Sequence, residues 1–271
     1  MTGKEADCIG LKMPTAEESR QVSENWIAPL RPCLYTQWPE QYRELSFGTK
    51  VEVLTASEAS ELAGIFQDKD DPWSPGLQSK IKRGVSLFTN GCFFRLESRS
   101  PKDNYWGEAT NFRACSFHDV KKLLYSERIL DDLARYSSLE SEPVRLLFRE
   151  WHPIRKSEEF RCFIKDRKLA GISQYHYAGF DECWHENVPL AFAEIYGRQE
   201  ERKATISAFI EEKVIPHLHV DDLVVDLWID QRVTLIEINP YGLSDPCLFT
   251  YQELENCLGE FRCVQRPKMV L

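Results

Sequence analysis

No stretch of this 271-residue chain approaches the roughly 18 consecutive apolar residues of a membrane span, and the first twenty residues lack the apolar core of a signal peptide. A cytoplasmic protein without a membrane partner is the expectation. No CxxC pair occurs among its nine scattered cysteines, which argues against a zinc site or a disulfide framework and predicts reduced thiols, mostly in the core. An excess of positive charge is missing too: 34 Lys and Arg stand against 43 Asp and Glu, a net charge of -9. A broad basic surface for nucleic acid is thereby disfavoured, and any RNA contact must be local. Repeats and low-complexity segments are absent as well.

What is present suffices for a large core: 42% of the residues are hydrophobic, enough for one large or two closely packed lobes. Thr15 is placed to cap a short helix to Ile27, with Glu17 and Glu18 in its first turn. Val51 and Val53 alternate as in a strand, and Thr55 with Glu58 has the spacing of a capping box before a second helix. DKDDPWSPGLQS, residues 68–79, reads as a loop. A strand through Cys92 to Leu96 precedes a polar stretch around Ser100, Pro101 and Gly107, which reads as a ligand-covering loop. Leu, Val and Ala at helical spacing predict one helix from about His118 to Tyr136. Strand patterns follow in VRLLFREW, EFRCFIK and LAGISQY, then a helix over Ala204 to His219 that Pro216 bends or ends. The order is α+β.

The stretch VVDLWIDQRVTLIEINP, Val224 to Pro240, reads as a hairpin carrying Asp226, Glu237 and Asn239 among apolar residues. Glu237 and Asn239, two apart, leave the same strand face. Asp226 joins them across a two- or four-residue turn but not across a regular three-residue one. With no Gly to form the primed two-residue turns, four residues, Asp230 to Val233, are expected, setting Asp226 opposite Glu237. Facing carboxylates repel unless a cation intervenes. Mg²⁺ takes oxygen ligands at about 2.0–2.1 Å and is commonly held by one or two carboxylates plus nucleotide phosphates, so Asp226, Glu237 and Asn239 are candidate metal ligands. Arg95, Lys102 and Arg161 are candidate phosphate contacts from the earlier strands and loop. REWHP offers backbone groups after Pro153 ends its strand, and Glu159, Arg161 and Phe163 share one strand face.

These residues resemble a known pattern. Asp…Glu-x-Asn on the last sheet, a basic residue on an earlier strand and an extended linker are similar to the ATP-grasp fold, in which two α+β lobes hold ATP and Mg²⁺ between them. PCLYTQWPEQYREL, FFRLESRSPKDNYW, FREWHPIRKSEEFRCFIKDRKLAGISQY and VVDLWIDQRVTLIEINPYG…LF, from about Cys33 to Phe261, resemble the cell division cycle protein 123 family. The resemblance implies an N-terminal extension over 1–30, one ATP-grasp lobe over 31–143 and a second over 144–271. It places Arg95 where the family has a phosphate-contacting lysine, with Lys102 and Asp103 in its Ser-Pro-basic-Asp loop. Glu150, Trp151 and His152 fall on the adenine-side linker, Glu159 and Arg161 on the ribose and phosphate contacts, and Asp226, Glu237 and Asn239 on the Mg²⁺ ligands.

The chain also departs from the family: arginine replaces lysine at 95, Tyr175 displaces an arginine, and the hairpin is two residues shorter than usual. A kept cleft beside an altered Tyr175 and His176 region is the reason to expect a divergent paralogue. One such branch is similar to fungal arginine-containing cyclodipeptide synthases, implying an amide-forming enzyme acting on arginyl-tRNA and a second amino acid, with Arg161, His176 and Glu159 as candidate catalytic groups. Cys183 and His185 offer a weak thiol and imidazole pair. The alternatives are an ATP-loaded assembly chaperone for a subunit of translation initiation factor two and a degenerate ATP-grasp scaffold. Exposed apolar residues such as Trp38 and Tyr42 would favour the chaperone, whereas a deep basic pocket would favour a small acyl substrate.

Overall fold

The structure is a computed structural model that describes residues 14–64, 73–139, 141–176 and 195–264. Side-chain caps start the early helices where the sequence places them. Thr15 accepts from the Glu18 amide, and Glu18 reaches back to the Thr15 amide, opening α1 (Ala16–Ile27). After two short 3-10 turns and α2 (Glu40–Glu44) come β1 (Thr49–Val53) and α3 (Ala56–Ala63), the latter opened by the same reciprocal bonds between Thr55 and Glu58. Both boxes satisfy amides that the first helical turn leaves without partners.

The loop expected over 68–79 is shorter than its composition suggests. Ser74 caps and Pro75 opens α4 (Pro75–Ser86), since a proline lacks only the amide that the first helical position does not use; residues 65–72 lie outside the described residues. Next come β2 (Cys92–Leu96), α5 (Tyr105–Ala109) and β3 (Arg113–Ala114). The single helix expected to Tyr136 is two, α6 (Phe117–Leu123) and α7 (Glu127–Tyr136), because Ser126 turns out of the first to cap the second. Then follow β4 (Arg145–Glu150), β5 (Glu159–Lys165) and β6 (Lys168–Gln174). The later helix is α8 (Gln199–Phe209), continued by a π turn at Ile210–Val214 and a 3-10 turn at Ile215–His217 where Pro216 stops it. The chain then forms β7 (Leu223–Ile229), β8 (Val233–Pro240), α9 (Tyr251–Leu254) and β9 (Glu260–Arg262).

Two sheets result, in the strand orders β1-β4-β2-β3 and β8-β7-β5-β6-β9, antiparallel except for the β6–β9 pair. The boundary expected at 143/144 falls before a strand of the first sheet. β4 lies between β1 and β2, with Arg149 opposite both Thr49 and Phe93. A run as apolar as RLLF needs neighbours on both sides, and it finds them in the first sheet. The passage between sheets is therefore the segment 151–158.

Each sheet has its own core. Leu77, Ile81, Phe94, Leu123, Ile129 and Phe148 belong to the first, whereas Phe160, Cys162, Ile164, Val225, Leu227 and Ile238 belong to the second. Trp38 and Tyr42, expected as exposed anchors, are 4% and 0% exposed and pack into the second core. Tyr42 donates to the Val214 carbonyl at 2.8 Å, so these aromatics belong to the fold and offer no surface to a partner. On the other face of the second sheet, Phe163 and Val224 meet Phe249 and Leu254.

Among the described residues no helix is long and apolar enough to cross a membrane. The described cysteines are all free thiols, but only Cys92 and Cys162 are buried, fewer than expected. Burial pushes the Cys92 thiol up to about 12.

Candidate functional site

The hairpin reaches the expected register by an unexpected route. Ile229 pairs with Val233, leaving a three-residue connection, 230–232, which by itself would place Ile236 opposite Asp226. A β-bulge between Asp226 and Leu227 absorbs one residue of β8, so Leu227 pairs with Leu235 and Asp226 with Glu237. An extra residue on one strand shifts side-chain parity by one, and that restores what the odd turn removes. Ile236 lines a cleft between the sheets.

Neither carboxylate faces the other without a cation. Arg161, the cross-strand neighbour of Asp226, donates from Nε and Nη2 to its two oxygens at 2.8 Å each, and from Nη1 to the Asp245 carbonyl at 3.0 Å. Asn239 Nδ2 donates to Asp226 Oδ2 at 3.1 Å. Arg95, arriving from β2, donates to Glu237 Oε1 at 2.6 Å. Burial opposes the charge on Glu237, but Arg95 and Lys102 overcome it and hold the carboxyl down at about 2. Burial pushes the Asp226 carboxyl above its usual range, with the Arg161 guanidinium opposing. Arginines thus supply the counter-charge that the facing acids require.

The cleft has a volume of about 540 Å³ and is lined from both sheets. Of the residues singled out from sequence, Arg95, Lys102, Glu150, Trp151, His152, Glu159, His176 and Glu237 line it. Asp226, Arg161 and Asn239 sit behind that wall; Asp226 is 1% exposed. Glu159, instead of pairing with Arg161, pairs with His176 Nε2 at 2.9 Å. The His152 ring stacks on Phe47 at 4.9 Å and approaches Trp228 at 5.3 Å. Asp103 does not face the cleft. It accepts from the Ser126 hydroxyl at 2.5 Å and from the Arg128 amide at 3.2 Å, tying its loop to the start of α7. Cys183 and His185 lie outside the described residues.

Lys102 reaches across the cleft and donates to the Tyr175 hydroxyl at 2.6 Å. Burial works against its charge, yet Tyr175, Glu237 and Glu159 hold its ammonium above the usual 10.5, while burial holds the Tyr175 phenol above 10. Lys102 is therefore an ammonium and Tyr175 a neutral phenol. On its other side Tyr175 carries the Arg161 guanidinium, 4.7 Å from the ring centroid, a cation–π contact.

Arg149 escaped the sequence reading. It lines the cleft, is 4% exposed, and burial together with neighbouring Arg95 lowers its guanidinium to about 10. The signal was an arginine inside an otherwise apolar central strand, LLFRE. Arg95, Lys102 and Arg149 line the cleft together, with Glu237 bonded to Arg95 and Glu159 to His176, and three cations converging on one wall suit a multiply charged anion.

The structure is thus a two-lobed α+β protein with a cleft between two mainly antiparallel sheets. The chain belongs to the D123 family, whose sequence profile matches residues 39–270. It is similar to the translation initiation factor eIF2 assembly protein of Candida albicans, 31% identical over 194 residues, which are 66% of this chain and 53% of that protein. The protein of the same name from Xenopus laevis is 28% identical over 199 residues, 69% of this chain and 56% of that one. The chain thus spans little more than half the length of these curated relatives. Among solved structures, Cdc123 from Schizosaccharomyces pombe superposes with a TM-score of 0.70 at 21% identity, covering 88% of this chain and 98% of that one. That likeness is one of fold.

The relatives overturn the expectation of an amide-forming enzyme. They carry the name of an assembly protein, and nothing among them supports a cyclodipeptide synthase or an arginyl-tRNA substrate. The altered Tyr175 and His176 region, which prompted that expectation, finds another use: Tyr175 accepts from Lys102 across the cleft and His176 pairs with Glu159.

Proposed function

We propose that the chain is a nucleotide-binding assembly protein for a subunit of translation initiation factor eIF2, with ATP and Mg²⁺ as the ligands of the cleft. The observation that carries the nucleotide half is the cleft of about 540 Å³, walled by Arg95, Lys102 and Arg149 above the opposed pair Asp226 and Glu237. The names of the relatives carry the partner half.

The residues present fit both ligands. The oxygens of Asp226, Glu237 and Asn239 form a hard donor set of the kind Mg²⁺ prefers; Asp226 Oδ1 and Glu237 Oε1, each accepting one arginine bond, retain a further lone pair, whereas Asp226 Oδ2 already accepts from both Arg161 and Asn239. When bound, the ion would neutralise phosphate charge beside the acids. Arg95 and Lys102 are placed to bond phosphate oxygens, exchanging Glu237 and Tyr175 for them. The half-buried His152 and Trp151, beside Phe47, give an apolar end to the cleft that suits a base. In an assembly protein, bound nucleotide would brace the two sheets in one relative position, and an exterior surface so fixed would receive the subunit.

Titration calorimetry with ATP, with Mg²⁺ and with chelator, tests the cleft: Asp226→Asn and Glu237→Gln should each weaken Mg²⁺-dependent binding at least tenfold, roughly 1.4 kcal/mol. Unchanged affinity in both sinks the nucleotide half. Pull-down with each purified eIF2 subunit tests the other half, and retention of none of them refutes it.

A further inference from the structure

The bulge that brings Glu237 opposite Asp226 is held from outside its own sheet. Arg149 of β4, in the first sheet, donates from Nη1 to the Ile236 carbonyl at 2.5 Å and from Nη2 to the Ser46 hydroxyl at 2.6 Å. Ser46 passes the contact on, its hydroxyl donating to the Leu235 carbonyl at 2.5 Å. The Leu235 amide in turn donates to the Leu45 carbonyl at 2.9 Å. Ile236 is the residue that the register leaves without a partner on β7. Two consecutive carbonyls at the bulge are therefore tied to one guanidinium, the first through Ser46 and the second directly.

We propose that Arg149 is a positioning residue that pins the β8 bulge and so keeps Glu237 facing Asp226 across the floor of the cleft. Without the bulge, the three-residue turn would pair Ile236 with Asp226 and send Glu237 to the opposite face, among Val225 and Ile238. A carboxylate there would have no cation, whereas the bulged register gives it Arg95 at 2.6 Å.

The chemistry of the contact requires an arginine. Its planar fork serves two acceptors at fixed separation, and a lysine, a single point donor on a flexible stem, does not reproduce that geometry. Its partners are a carbonyl, a hydroxyl and the faces of Phe47 and Trp38, 5.4 and 6.0 Å away, with no carboxylate among the described residues. A buried cation without its own counter-ion is costly. Here it is retained where it orders a register and adds positive charge to the wall of the cleft. The consequence for ligand binding rests on the nucleotide reading above, while the consequence for the register does not.

Hydrogen exchange read by mass spectrometry on the full chain separates the two. In Arg149→Met, amides of 233–240 should exchange at least tenfold faster than in the unmodified protein, with those of 159–174 unchanged; Arg149→Lys should fall between. Unchanged exchange in β8, or acceleration spread evenly over both sheets, overturns the proposal. Should Arg149→Met fail to fold, Ser46→Ala removes only the relay to Leu235 and should produce about threefold acceleration confined to β8; its absence is equally fatal. Affinity for ATP should fall in Arg149→Met both with Mg²⁺ and in chelator, because the guanidinium lines the cleft, but the loss with Mg²⁺ should be about tenfold the larger; equal losses in both would overturn the positioning role. If the unmodified protein binds no nucleotide in either condition, the nucleotide reading fails and the exchange pattern still decides the role of Arg149.

Discussion

Arg161 and Asp226 are cross-strand partners whose side chains meet through two bonds of 2.8 Å, with the guanidinium 7% and the carboxylate 1% exposed. Removing one member leaves the other buried and charged. Asp226→Ala should therefore cost about 3–5 kcal/mol of stability by urea unfolding, and the double variant Arg161→Met, Asp226→Leu should recover most of it. A double variant no more stable than the single one would mean that Arg161 is held mainly by its other contacts, the Asp245 carbonyl and the Tyr175 ring. This is also why the milder Asp226→Asn is the variant for ligand binding.

Glu237 makes the stability of the two-sheet assembly depend on pH. Its folded-state value near 2 lies below the ordinary 4.5, so on acidification the unfolded chain takes up the proton first. The contribution is complete above about pH 4.5 and is lost as pH falls toward 2; 2.5 pKa units correspond to roughly 3 kcal/mol. Urea unfolding between pH 5 and pH 2 should show the unmodified protein losing about that much more than Glu237→Gln. Parallel losses would show that Arg95 does not hold the carboxylate in the way its 2.6 Å bond implies.

Tyr175 competes with any anion for Lys102. Tyr175→Phe keeps the ring under Arg161 but removes the oxygen that accepts from Lys102 at 2.6 Å. Affinity for inorganic triphosphate should rise roughly threefold, the scale of one modest hydrogen bond. A fall in affinity, measured by calorimetry at matched ionic strength, would instead make the hydroxyl part of the anion site.

In the first core, α4 approaches β4 through Gly84, where a Cβ would come within 2.4 Å of the Phe148 ring. Phe148 is itself fully buried between two strands and cannot swing aside. Gly84→Ala should lower stability by about 1–3 kcal/mol through overpacking, visible as a lower midpoint in calorimetric unfolding. An unchanged midpoint would show that α4 can slide away from the sheet.

Much of the local structure was legible in the chain because it depends on neighbours in sequence. Thr15 with Glu18 and Thr55 with Glu58 start helices through bonds three residues apart, and the alternation in EFRCFIK gives a strand with Cys162 in one core and Phe163 in another. The acids Asp226 and Glu237 were found by their position on a hairpin. What misled the reading was competition from distant partners: Trp38 and Tyr42 looked available for a partner protein because nothing near them in sequence covers them, yet α8 and the second sheet do. Asp103 looked like a ligand of the cleft and is instead spent on Ser126 and the amide of Arg128.

The sequence by itself determined an α+β chain with acids on its last hairpin and cations on its earlier strands, since side-chain period and charge are properties of the strand alone. Only the tertiary structure decided how those acids meet. Turn length cannot be read where no glycine dictates it, and the bulge at Ile236 exists because Arg149 and Ser46, 87 and 189 residues from their β8 acceptors in the chain, hold its carbonyls from the other side of the cleft. Register in this hairpin is thus a long-range property, fixed by donors that no local pattern announces.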